Sequence, residues 1–524
     1  AEKRADLSMY ECDIRETASA AHIYGKRMVA GEAFTADGRK ETCYTFYPGN
    51  LKPIADYLMG CGLNRFVIHE SAHQPVDGKR PGLALAIYGQ WFNRHETWAE
   101  YAKVWTDYLA RSSYMLQQGD YVADVAYYYG GDNSVNGRFG HNHPKVPRQY
   151  SFDYVNPQSL IQEFGFDGTH LVTRAGMKYR LLVIDPQVTH VTVPELRKLA
   201  QLARAGAPIC GNRPTVQPNL MGDDAEWQRL VADIWDAGRP HVITGKTVAE
   251  ALDMLGVAPD FCYNQQDSIR WIHRRTADAD IYWVANARDE ALQTAFSLRV
   301  SGKRPELWNA EDGTVRPVGY AIADGRTTVH VDMKPYDAFF LVFRDEATAA
   351  SYTPAAEQEL PVLTLDTDWT VRFQEGMGAP SGAVPMPRLQ SYTEIDDEAI
   401  RYFSGTATYE KTFSLPAKID KRSRYVLDLG AVGCMAEVTL NGQQLGTLWK
   451  QPYTIDLTPA LRKKNNRLQV KVVNLWVNRV IGDKQPGVKQ KYTWASYNGA
   501  FRATSPLHPS GLMGPVRLVQ VAPR

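Results

Sequence analysis

The sequence predicts a mixed architecture, α/β in its first half and all-β in its second. The parts are a partial (β/α)8 barrel, a small doubly wound α/β unit and C-terminal β-sandwich or jelly-roll domains. Three observations predict it. Apolar residues at helical spacing alternate with short apolar strands up to about residue 260. Beyond about residue 262 the helical spacing gives way to alternation by two. The chain's 524 residues also exceed what one hydrophobic core organises, so several domains are expected.

The first region, residues 1–164, opens with ETASAAHIYG, an Ala-rich helix closed by Gly25, and RMVAGEAFT, a buried strand. LKPIADYLMGCG is a second helix and NRFVIHE its strand. The third helix places Trp98, Tyr101, Ala102, Trp105, Tyr108, Leu109, Ser112, Met115 and Leu116 on one face and ends at Gly119. The strand DYVADVAYYYG follows it. Three strand–helix units in succession imply parallel strands with helices over them. A closed barrel takes about 250 residues, so the chain is expected to enter one partway round.

Residues 165–260 repeat the alternation on a smaller scale. YRLLVID, APICG and HVITG read as buried strands, and VPELRKLAQLARAG, AEWQRLVADIWDAG and VAEALDML as amphipathic helices, together a flavodoxin-like unit. Residues 261–345 read as a β-sandwich: SIRWIHRRTADADIYWVAN sets Ile269, Trp271 and His273 on one face around a TADAD turn. ATAASYTPAAEQELP reads as a linker over 346–361. In the rest of 346–524, GTATYEKTFSL, RYVLDLG, AEVTLNGQQLGTLW and NRLQVKVVNLW are short strands of a jelly roll, with Asn441-Gly442 as a hairpin turn.

Composition narrows the function. Lys+Arg 59 against Asp+Glu 58 leaves a charge of +1, which offers no electrostatic footprint for nucleic acid or an anionic membrane. No run of eighteen apolar residues reads as a membrane-spanning helix. The six cysteines are scattered, without zinc or disulfide spacing. No G-x-G-x-x-G or G-x-x-x-x-G-K follows a strand, and G-x-S-x-G, H-E-x-x-H and EF-hand patterns are missing. Nucleotide binding, seryl hydrolysis and zincin chemistry are thereby disfavoured.

What gathers at the predicted strand ends is carboxylates, histidines and aromatics: Glu32, His69 and Glu70, and Asp132. Glycoside hydrolysis needs that equipment, one carboxylic acid to protonate the leaving oxygen and a second carboxylate to activate water or attack the sugar. Glu32 and Glu70 are the candidate catalytic pair, since carboxylates ending adjacent parallel strands face one mouth. His69, His73 and Gln74, in H-E-S-A-H-Q-P, supply neutral donors and acceptors for sugar hydroxyls. Trp91 and Tyr129 are candidate sugar platforms, although Trp98 nearby serves equally to anchor its helix. Asp132, with Asn133, suits a substrate hydroxyl or a hard cation. The residues themselves assign no metal ligand set and no oligomeric state. Two alternatives stand beside the enzyme: a carbohydrate-binding fragment without activity, and a β-galactosidase-like hydrolase built from the same kinds of layer.

ASAAHIYGK, AGEAFT, GLNRFVIHESAHQP, FNRHETW, ADVAYYYGGD, DYVN and SIRWIHRRTADADIYWVAN resemble the family 106 glycoside hydrolases, the α-L-rhamnosidases. YFSGTATYEKTF, VTLNGQQLGTLWKQPYTIDLT and VVNLWVNRVIGD resemble that family's accessory galactose-binding-like sandwich. The resemblance implies a (β/α)8 catalytic domain that begins upstream of ASAAHIYGK, inverting chemistry, a calcium ion on the sugar hydroxyls and a periplasmic or extracellular setting. It implies a carbohydrate substrate, such as rhamnosyl side chains of polysaccharides. Glu32 matches the acid of the family's A-E-[AS]-F-T segment, and His69, His73 and Gln74 match the loop after the next strand. The run Tyr128-Tyr129-Gly130-Gly131-Asp132 departs from the family's Tyr-Gly-Glu-Asp, with Gly131 where a carboxylate would stand.

Overall fold

The structure, a computed structural model, describes residues 8–523 except 36, 40, 90, 132, 134, 136–143, 219–222 and 265–267. The chain is mixed α/β with many β-sheets, and it divides into two compact units. The first gathers Ala1–Gly31, Ala55–Phe66 and Ala110–Pro354, and the second Glu32–Ile54, Val67–Leu109 and Ala355–Arg524.

All three expected opening helices form, at Ser8–Ile23, Pro48–Gly60 and Lys103–Leu116; the first begins eight residues before the expected ETASAAHIYG, and the third is preceded by a 3-10 turn at Ala99–Tyr101. Trp98, Trp105, Tyr108, Leu109, Ser112 and Leu116 are buried, as their shared face requires. Among the described residues, the strands Ala30–Ala33 and Arg65–Ile68 pair only with each other. Arg65 N–H donates to Val29 O and, four residues on, His69 N–H donates to Ala33 O. That equal advance is the pattern of a parallel pair.

The third predicted strand goes elsewhere. Val125–Tyr128 lies in a five-stranded parallel sheet, flanked by Leu181–Ile184 on one edge and Phe152–Val155 on the other, with Ile209–Cys210 and Val242–Ile243 beyond. Numbered in chain order, its strands run 2-1-3-4-5, the flavodoxin-like order. The sheet therefore crosses the expected division at 164/165, and that boundary is corrected. All four residues of Val125–Tyr128 are buried, and a strand buried on both faces needs a neighbour on each edge. The helices Val193–Ala205 and Asp224–Trp235 connect successive strands of this sheet, and Val248–Met254, after its last strand, packs Val248, Ala251 and Leu252 into the same core.

The rest of the first unit is antiparallel. A sheet from Phe261–Cys262 to Ser351–Tyr352 and another containing Ile269–Arg275, Asp280–Asn286 and Ala338–Glu346 share a core of Phe261, Tyr282, Phe296, Leu298, Val329, Phe339, Leu341 and Phe343. In the second unit, sheets of four and six strands enclose Trp369, Val371, Tyr409, Leu427, Val438, Val470 and Leu518. Asn441 and Gly442, at φ 54 and 86, turn the hairpin between Met435–Leu440 and Gln443–Leu448, as predicted. The expected linker over 346–361 is corrected as well. Ser351–Tyr352 is an edge strand, and Glu357–Thr364 pairs along Arg517–Pro523 near the chain's end. Its side chains are mostly solvated, so an edge strand there has the composition of a linker.

Candidate active site

Glu32 sits within Ala30–Ala33, and His69 follows Arg65–Ile68 directly. The bond from His69 N–H to Ala33 O, 3.0 Å, sets the histidine's backbone beside the residue after Glu32. The strand is less buried than its sequence predicts: Ala30 and Glu32 are exposed and only Ala33 is covered. The Glu32 carboxylate meets water and accepts one hydrogen bond, from Thr35 Oγ1 at 2.8 Å. Two residues on, Phe34 turns inward at φ 65, edge-on to Trp91 and Trp105.

Glu70, joined to His69 by a cis peptide, is half-buried, with its Oε2 3.8 Å from His69 Nε2. The other nitrogen, His69 Nδ1, is buried without a hydrogen-bond partner, and the ring stands edge-on to Tyr88. Glu70 owes its position to Gly89. A Cβ at that glycine would come within 2.4 Å of Glu70 Oε1, and its φ of +64 also favours glycine, so the carboxylate rests against bare backbone. Among the described residues neither Glu32 nor Glu70 is paired with a lysine or arginine. Two carboxylates near one strand-pair end, both reached by solvent and neither neutralised by a cation, can exchange protons with a bound substrate or water.

The remaining predicted residues separate. His73 is exposed on the same loop. Gln74 is buried and spends its amide on the backbone: Gln74 Nε2 donates to Leu83 O and Leu83 N–H to Gln74 Oε1, each at 2.8 Å. It closes the loop rather than offering an amide to sugar, and its expected substrate contact is corrected. Trp91 is corrected too. It has no exposed surface, stacks on Trp98 and donates its indole N–H to Phe34 O at 2.9 Å, so no face is left for a sugar. Tyr129 belongs to the other unit, where its hydroxyl donates to Glu16 Oε1 at 2.9 Å; burial, then the Glu16 charge, pushes that phenol up. Asp132 lies outside the described residues. Asp124 is a buried partner of Arg299 at 2.9 Å.

Calcium takes about six to eight oxygen ligands. Among the described residues no three His, Cys, Asp or Glu side chains converge on one point. The donor set offered by Glu32 and Glu70 is too small for that ion, so the described residues alone do not fit it.

Sequence reasoning missed two features. In F-N-R-H-E-T-W, Glu96 is 5% exposed and neither carboxyl oxygen has a hydrogen-bonded partner. Burial raises it well above the usual carboxylate range. Burial thus favours the protonated form of a glutamate that the sequence shows only as one residue of that segment. The second feature is K-Y-T-W-A-S-Y-N. Its strand Trp494–Ala495 pairs with Pro81–Gly82 of the loop that carries His69, Glu70 and His73. A run of aromatics among small polar residues was the available signal.

Comparison with known proteins identifies the family. The family model described as alpha-L-rhamnosidase matches residues 1–322, and one described as a glycosyl hydrolase 2 galactose-binding domain-like region matches 389–504. The structure of a rhamnosidase from Novosphingobium sp. PP1Y is similar at 40% identity and a TM-score of 0.93, over 99% of this chain and 50% of that one. A Formosa agariphila protein with a provisional beta-glucuronidase name is 26% identical over 95% of this chain and 63% of its own length. The chain thus spans about half the length of the solved relative.

Proposed function

The chain belongs to the α-L-rhamnosidase family of glycoside hydrolases, and on that premise we propose that it serves to hydrolyse terminal α-L-rhamnosyl residues of polysaccharides or glycosides by an inverting, two-carboxylate mechanism. Glu32 supplies one carboxylate and Glu70 is the candidate within this chain for the second. One protonates the departing glycosidic oxygen and the other takes a proton from the attacking water. An inverting pair stands about 6.5–9.5 Å apart, which leaves room for that water. The observation that carries the reading is that Glu32 and Glu70 stand at one parallel strand pair, neither paired with a lysine or arginine among the described residues, with His69 Nε2 3.8 Å from Glu70 and its Nδ1 unpartnered. No step runs through calcium, because the described donors do not fit it.

In the same reading, the strand–helix repeats up to Ile68 are part of a (β/α)8 barrel and the two sheets of the second unit form a jelly roll. The setting is periplasmic or extracellular, where rhamnosyl polymers are met.

The test is release of p-nitrophenol from its α-L-rhamnoside and its β-glucuronide by the full-length protein. Rhamnoside turnover is expected, with Glu32→Gln slower by about 10³-fold, within the range of acid–base catalysis. Proton NMR of the first-formed sugar should show the inverted anomer. Unchanged turnover in Glu32→Gln removes that carboxylate from the mechanism, and turnover of the glucuronide instead overturns the rhamnoside reading.

A further inference from the structure

The C-terminal sequence places one large aromatic side chain in the open beside the candidate loop. Trp494 is 42% exposed, although it lies in a strand that pairs, Trp494 with Pro81 and Ala495 with Gly82. Trp494 N–H donates to Arg80 O, Ser496 N–H to Gly82 O at 3.0 Å, and Ala84 N–H to Ser496 Oγ at 2.9 Å. The preceding residues are anchored from the core. Asp483, buried and held by Arg479 Nε at 2.9 Å, accepts hydrogen bonds from Tyr492 N–H and from both N–H and Oγ1 of Thr493. The indole is thus fixed through its backbone at both ends while its ring stays in solvent.

The loop it joins is the one already described. Leu83, next to Gly82, is bridged by Gln74, whose chain neighbour is the exposed His73. Lys79 Nζ lies 4.6 Å from the centroid of the Trp494 ring. Arg80 and Lys491 are exposed nearby in the chain, while the one acid of this stretch, Asp77, is taken up by Arg94 at 2.7 Å. An exposed indole offers a stacking surface for the C–H face of a pyranose, and the Lys79 ammonium, held over the ring by a cation–π contact, favours a carboxylate on that sugar. A neutral ligand makes no use of the positive charge of Lys79, Arg80 and Lys491, and a flexible anion makes none of the flat ring.

We propose that Trp494 and Lys79 form a subsite for the sugar on the leaving-group side of the scissile bond, and that this sugar is a uronate. The proposal rests on the rhamnosidase reading and names the substrate class at that site. The indole carries the ring of the departing sugar, and Lys79, with Arg80 beside it, pairs with its carboxylate. The C-terminal unit thereby contributes directly to substrate choice.

The test compares three substrates on the full-length protein: α-L-rhamnosyl fluoride, which has no departing sugar, a rhamnosyl-uronate disaccharide, and its carboxyl-reduced neutral counterpart. Trp494→Ala is expected to lower the ratio of kcat/KM for the uronate disaccharide to that for the fluoride by about tenfold, the scale of one aromatic stacking contact. Lys79→Met is expected to lower the ratio of uronate to neutral disaccharide by a similar factor. Ratios that do not move in either variant overturn the subsite while leaving the rhamnosidase reading in place. A wild-type protein that turns over none of the three substrates, the fluoride included, overturns both.

Discussion

His273 has no exposed side-chain surface, yet each ring nitrogen faces a carboxylate: Nδ1 is 2.7 Å from Asp260 Oδ2 and Nε2 is 2.9 Å from Asp280 Oδ1. Only the doubly protonated ring donates to both. Burial alone would push His273 down, but Asp260 and Asp280 together hold it above its ordinary value. Burial likewise works against Asp280, and His273 and then Arg275 outweigh it, holding that carboxyl down to about 2. At ~1.4 kcal/mol per pH unit this is worth about 2 kcal/mol. Asp260 is lowered in the same way by His273, with Arg299 and the Tyr282 hydroxyl assisting.

The pH window follows from these directions. The aspartates' contribution is present above the ordinary carboxylate value of about 4 and is lost as pH falls through their lowered values. The histidine's contribution is complete below about 6.5 and is lost as pH rises through its raised value. His273→Gln leaves one carboxylate without its donor. Removing one partner of a buried pair costs about 3–5 kcal/mol, and Arg275, 2.7 Å from Asp280, keeps the cost near the lower figure. The assay is amide hydrogen exchange in Ile269–Arg275 and Asp280–Asn286 at pH 5.5 and pH 9. The substitution should speed exchange strongly at pH 5.5 and less at pH 9. An equal effect at both pH values, or a cost below about 1 kcal/mol, would refute the imidazolium assignment.

Two other substitutions probe the second unit. Burial raises Glu96, so the stability tied to its neutral form is complete below about 4.5 and declines by ~1.4 kcal/mol per pH unit as pH rises toward its folded value. Glu96→Gln stays neutral and should flatten the dependence of Tm on pH between 5 and 8; an unaltered slope would count against a neutral Glu96. Trp91→Ala empties a site packed by Phe34 and Trp98 and should cost about 3–5 kcal/mol in urea unfolding. A stable Trp91→Ala protein with raised KM alone would restore the platform role.

Local periodicity carried the helices, because Trp98, Trp105, Tyr108 and Leu116 need only their own spacing to declare a buried face. The Asn441-Gly442 hairpin was equally legible, since both residues adopt positive φ whatever lies around them. Sheet membership was not. Val125–Tyr128 is as apolar as a barrel strand, and nothing within its four residues names Leu181–Ile184 and Phe152–Val155 as neighbours. The same limit separates the site residues. Glu32 and His69 stand on one strand pair, through the bond from His69 N–H to Ala33 O, an adjacency that chain order suffices to propose. Whether Trp91 faces sugar or core depends on Phe34 and Trp98 closing over it, and whether Glu96 is solvated or neutral depends on its surroundings in the fold.

The candidate loops belong, in contacts, with the C-terminal sequence. The segments 32–54 and 67–109 fall in one compact unit with 355–524. Tyr44 Oη donates to Tyr497 O at 2.6 Å, Trp476 Nε1 donates to His95 O at 2.9 Å, and Trp105 and Tyr108 both pack against Trp449. Closing a loop of several hundred residues costs only slowly growing entropy, but it leaves the geometry near Glu32 and Glu70 dependent on residues far along the chain. Polar groups positioned to within fractions of an ångström need a rigid support, and here the buried indoles of Trp449 and Trp476 provide it. A sandwich that only tethered the protein to carbohydrate would have no reason to bury its tryptophans against the helix that follows the candidate loop. The contacts bind 355–524 to the segments 32–54 and 67–109, and deleting 355–524 is expected to speed amide exchange throughout those two segments; unchanged exchange there would refute the dependence.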